Sequence, residues 1–86
     1  NGQIAMLVNV KDKNDNPQAL QKDLQDMTKD IDKKDNVDMV TPPQLSKNKD
    51  YALIAVIPEK GPNAESTNDL VHDLRDYNDD AKDKYG

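Results

Sequence analysis

Two apolar stripes constrain this chain more than any other feature. Leu20, Leu24, Met27 and Ile31 fall at i, i+4, i+7 and i+11, and Leu70, Leu74, Tyr77 and Ala81 repeat that spacing 50 residues later. The spacing marks one face of an α-helix in each case. Between and before the stripes lie short runs of β-formers. "IAMLVNV" at 4–10 places Ile4, Met6, Val8 and Val10 on one face, with Ala5 and Leu7 apolar on the other. "YALIAVI" at 51–57 is the strongest strand and is also apolar on both faces, as central strands of a sheet usually are. A third run, 37–41, ends at Pro42 and Pro43, which have no N–H for a sheet ladder. "QLSKNKD" reads as a polar turn.

The order is therefore β-α-β, then β-α, with helices over 17–33 and from about 64 into the 80s. Two helices on one face of one antiparallel sheet give an α+β, ferredoxin-like domain whose final strand is missing. Right-handed crossovers place 4–10 beside 51–57 in the centre. The absent fourth strand belongs next to 4–10, so that strand is expected to pair with another copy or to be covered by the chain's own tail. Asn1 is no natural start and "KDKYG" ends without a finishing element, so the expectation is a single domain, 1–86, cut from a larger protein.

The stretch "DKNDNP" admits two readings. Asp12, Asn14 and Asn16 alternate like the first half of an EF-hand loop, with Asp15 among them, and the string resembles a cadherin calcium linker. Pro17, however, stands where an EF-hand needs glycine, and Asp23 where a bidentate glutamate is usual. The favoured reading makes Asn16 an N-cap and Pro17 the first helical residue. At the second helix, Asn63 or Ser66 is the expected cap, Ser66 with Asp69 forming a capping box.

Composition narrows the function classes. A net charge of -5 argues against nucleic acid, and the three aromatics, Tyr51, Tyr77 and Tyr85, cannot form a base-stacking sheet. With no cysteine there are no disulfides or thiolate metal sites. His72, the one histidine, and Arg75, the one arginine, lie on the solvent side of the second helix. "EKGPN" lacks the residues of a phosphate loop, and "NDDAKDK" reads as a solvated acidic cluster. No nucleophile with a base is evident, so no enzyme, cofactor or catalytic residue is expected.

Residues 52–75, "ALIAVIPEKGPNAESTNDLVHDLR", preceded by "VDMVTPPQLSK" at 37–47, carry a resemblance. The strand, the "GP" loop and the helix reading "T--LV--LR" are similar to the first extracytoplasmic domain of MMPL-type exporters of the resistance–nodulation–division (RND) superfamily. The resemblance runs from about residue 4 to 75. It implies a porter-type domain on the extracellular side of a bacterial cell membrane, in a proton-driven exporter of lipids or drugs. Its partners would be a paired porter domain and membrane helices of the same chain. The motif is structural and implies no substrate-contacting residue here. The alternative is a free-standing ferredoxin-like binding or regulatory module that pairs through a sheet edge. A third reading, a calcium-stabilised adhesion segment, rests on "DKNDNP" alone.

Overall fold

The computed structural model describes residues 2–13 and 15–85. Chain order is β1 (Ile4–Asn9), a 3-10 turn (Lys11–Lys13), α1 (Pro17–Asp32), β2 (Val37–Val40), β3 (Gln44–Leu45), β4 (Tyr51–Pro58) and α2 (Glu65–Tyr85). The α+β class follows the sequence expectation, and the expected β-α-β-β-α order is met apart from the added two-residue strand β3.

Local chemistry explains the boundaries. The Asn16 side chain accepts a hydrogen bond from the Ala19 N–H at 3.2 Å, and Pro17 occupies the first turn, where its missing N–H is no loss. Asn14 lies outside the described residues. Helix α1 ends at Lys33, and Asn36 then takes a left-handed φ of 72°, which asparagine tolerates. Its carbonyl accepts from the Glu59 N–H at 2.9 Å, tying the end of α1 to the end of β4.

Helix α2 departs from the expected cap. Its helical residues begin at Glu65, and the Ala64 carbonyl accepts the Asn68 N–H at 3.1 Å. Ser66 is thus already inside the first turn and cannot cap it. The side chain that anchors this end is Thr67, buried, whose hydroxyl donates to the Lys60 carbonyl at 3.2 Å.

Strand β4 is the middle of an antiparallel sheet. On one side β1 pairs with it in continuous register from Ile4↔Val56 to Asn9↔Tyr51. On the other lie β2 and, beyond the two prolines, β3. The expected turn at 44–50 is therefore part strand. Gln44 and Leu45 face Leu53 and Ala52, and the turn proper follows them. The Asn48 side chain accepts from the Ser46 hydroxyl (2.7 Å) and the Asp50 N–H (3.1 Å) there, and Lys49 adopts φ 62°. Prolines interrupt the ladder without turning the chain away: Thr41 before them donates to the Ala55 carbonyl at 2.9 Å, and Gln44 and Leu45 after them pair again with Leu53 and Ala52.

Strand β1 stands beside β4, as expected, yet at the sheet's edge; among the described residues no strand lies on its far side. Both helices cover one face. Met6, Val8 and Val10 join Ala52, Ile54 and Val56 beneath the two helical stripes, and Ile31, Ile54, Val56 and Leu70 are fully buried. Each large aliphatic in that layer contributes about 1.5–3 kcal/mol relative to exposure. The Cα extents, 40 × 25 × 16 Å, fit one sheet covered on one side only.

Candidate interaction surface

Backbone parity fixes what β1 offers at its edge. The Val10 N–H donates to the Asp50 carbonyl at 2.8 Å, so Val10 points its backbone groups toward β4. In an antiparallel ladder that direction alternates. Ile4, Met6 and Val8 therefore face β4, while Ala5, Leu7 and Asn9 turn their N–H and C=O outward. One of these groups has a side-chain partner, since Asn78 Nδ2 of α2 donates to the Leu7 carbonyl at 3.3 Å.

The sheet face opposite the helices is apolar. Leu7 and Leu53 are cross-strand partners on that face and are 56% and 39% exposed. Tyr51 and Met39 add 45% and 54% exposed side chains to the same side. Such a concentration of large apolar groups on one bare sheet face is the signature of a contact surface. It arises because β1 and β4 carry apolar residues at both parities, while the two helices can cover only one.

Beside the β1 edge, a cleft of about 420 Å³ opens between the helices and the end of that strand. Leu7, Val10, Leu24, Met27 and Ala81 supply apolar walls, and Asp12, Lys13, Asp23 and Lys82 its charged groups. Helix α2 reaches this cleft because its C-terminal half is clasped to α1. Asp30 Oδ2 accepts from Tyr77 Oη at 2.9 Å, Lys84 Nζ at 3.3 Å and Tyr85 Oη at 3.5 Å. The Lys34 ammonium sits 5.1 Å from the Tyr77 ring centre, and Lys84 5.2 Å from that of Tyr85, both within cation–π range. Lys13 donates to the Tyr85 carbonyl and pins the helix end. The Tyr77 hydroxyl, and secondarily Lys84, holds the Asp30 carboxyl below its ordinary pKa, against the opposing effect of burial. Burial, then the bond to Asp30, raises the Tyr77 phenol far above its usual value.

The residues weighed from sequence scatter. His72 and Arg75 are exposed on α2. Asp12 lies in the 3-10 turn, Asp15 is exposed beyond it, and Asn16 caps α1. Among the described residues no group of three or more histidine or carboxylate side chains converges on a possible metal position. The Asp30 cluster was not foreseen. Its only sequence trace is that Tyr77 stands within a helical stripe otherwise made of aliphatic residues.

The chain is 37% identical over 79 residues to "Membrane protein YdfJ" of Bacillus subtilis (strain 168). That alignment takes in 92% of this chain and 10% of the relative's length. No protein-family profile matches the chain. No solved structure matches it. Among the described residues no helix is long and apolar enough to cross a membrane.

Proposed function

We propose that this chain is a porter-like domain outside the membrane in a proton-driven exporter of the RND/MMPL type. There it shapes the exit path of a lipid or drug-like substrate and packs against a paired domain. The observation that carries this reading is the 37% identity, across nearly the whole chain, to a protein named as a membrane protein, of which it spans a tenth. Three further observations support it. The string from 37–47 to 52–75 resembles the family in order and spacing. The sheet and helices have the ferredoxin-like order such domains use. The bare face around Leu7, Leu53 and Tyr51 suits packing against another domain. The work of such a domain is rigid-body movement rather than bond chemistry.

The test uses the gene and its intact product. The coding sequence before Asn1 is expected to specify an apolar helix of about 20 residues. Because the chain has no cysteine, Lys49→Cys in the β3–β4 turn introduces a thiol unique within it. In otherwise cysteine-free full-length protein, a membrane-impermeant maleimide is expected to label this thiol in intact cells. An upstream region without such a helix, or labelling only after lysis, overturns the proposal.

A further inference from the structure

The sheet face opposite the helices has a pattern that the packing of this domain does not use. Along β1 and β4 it alternates large and small: Leu7 lies beside Leu53, and Ala5 beside Ala55. Asn9 and Gln44 are its polar members. Among the described residues of β1, β3 and β4 none on this face is charged, in a chain that is 34% charged. Charge gathers at the two ends instead. Lys11, Lys47 and Lys49 stand with Asp50 where β4 begins, and Asp35, Asp38 and Glu59 stand with Lys60 where it ends. Other charges nearby belong to the helical side. Asp12 and Lys13 line the cleft, Lys34 sits on Tyr77, and Asp32 and Lys33 offset each other at the end of α1. The bare face is thus uncharged within, positive at one end and negative at the other.

We propose that this face binds a second copy of this chain, sheet on sheet, about a two-fold axis that crosses the strands at right angles between Leu53 and Ala55. Turning one copy about that axis sets its Leu53 over Ala55 of the other, and its Leu7 over Ala5. Large groups then meet small ones, and two layers about 10 Å apart interdigitate. The twist of the sheets crosses their strands by about 30° and leaves these central positions facing. The same turn brings the Lys47 end of each copy over the Asp38 end of the other. A two-fold along the strands would instead stack Leu53 on Leu53 and cations on cations. Shape and charge select the same arrangement. Three strands about 4.8 Å apart, with β4 rising about 3.3 Å per residue, make a face of roughly 15 by 25 Å. With side chains standing from it, two copies bury on the order of 1,200 Å2, the small end of specific interfaces. The dimer is therefore weak, and the chain is a monomer at low micromolar concentration.

The exporter reading gives this face to another domain; here that domain is the second copy's. The two stand on separate tests, since neither an upstream helix nor labelling from outside the cell depends on pairing. Sedimentation velocity and methyl NMR follow the present chain from about 10 μM to about 1 mM, with and without phosphatidylglycerol vesicles. A dimer with a dissociation constant on the order of 100 μM is expected, with concentration-dependent shifts at the methyls of Leu7, Leu53, Ala55 and Met39. Leu53→Lys is expected to abolish it. Lys47→Glu or Asp38→Lys alone is expected to weaken it about threefold or more, since two exposed charge pairs per dimer change sign, and the double variant to restore it. Melts at about 10 μM check that each variant folds as a monomer. A chain that stays monomeric at about 1 mM, methyl shifts that appear only with vesicles, or a dimer that survives Leu53→Lys overturns the proposal. Single charge variants that dimerise like the parent overturn the crossed two-fold arrangement.

Discussion

The Tyr77 hydroxyl and the Asp30 carboxylate lie 47 residues apart in sequence and 2.9 Å apart in space, the donor on α2 and the acceptor on α1. Lys84 and Tyr85 of α2 reach the same carboxylate, and elsewhere the two helices bury apolar side chains, which fix distance more firmly than rotation. The Tyr77 bond is the shortest of the three and helps to set the rotation that brings Asn78 to the sheet edge. Tyr77→Phe keeps the ring and the Lys34 contact but removes the donor. It is expected to cost about 1 kcal/mol, measured by urea denaturation. The Asn78 side-chain NMR signal should shift in the same variant.

The Asp30 carboxyl, held below its ordinary value first by the Tyr77 hydroxyl, also predicts a pH dependence. A carboxylate with a depressed folded-state pKa binds fewer protons folded than unfolded. Its stabilisation is complete above the ordinary value of 3.8 and is lost as pH falls below that value through the folded one. Asp30→Asn should therefore be less stable than the parent at pH 7. The difference should narrow as the pH is lowered through the acid range, as thermal melts between pH 7 and pH 2.5 would read. A constant difference across that range would assign the loss to packing instead.

The Asn16 cap makes a separate prediction. Its side chain is the acceptor for the Ala19 N–H, so Asn16→Ala leaves that donor without its protein partner. The expected loss is about 1 kcal/mol, with Asn16→Asp or Asn16→Ser restoring most of it. If the segment instead served to hold calcium, millimolar calcium would raise the melting temperature of the parent and not of the alanine variant. No calcium dependence is expected.

Ile54 is fully buried between β4 and the helices, at the centre of the covered face. Ile54→Ala is expected to cost about 2–5 kcal/mol. Leu53, its neighbour, points to the bare face, so Leu53→Thr should change stability by less than about 0.5 kcal/mol. A large loss from the threonine variant would mean that the second face is covered by something in solution.

These contrasts show how far the pattern of residues carries. Both helices were legible because burial on a helix repeats every three to four positions, and Leu20 to Ile31 and Leu70 to Ala81 keep that beat. The pairing of β1 with β4 was legible from their shared two-sided apolarity. That same feature misleads about position: β1 is apolar on both faces and still lies at the edge, because apolarity records what a strand can touch and not what is present beside it. The short β3 was hidden by Pro42 and Pro43, which break the ladder while the backbone continues alongside β4. Ser66 resembled a cap, yet the Ala64 carbonyl starts the helix one turn too early for it. Asn78 lay in a run that reads as solvated charge, and its bond to Leu7 spans 71 residues. No local spacing encodes such a contact.

The interrupted β2–β3 margin has a consequence of its own. Strand-by-strand accretion into fibres requires a molecule that can be extended at both flanks, because each newcomer must in turn receive the next. Here one flank is broken by two adjacent imino acids and an irregular register between Val37 and Met39. Whatever joins at the opposite flank, growth has nowhere to continue, and any association that begins there terminates after one step.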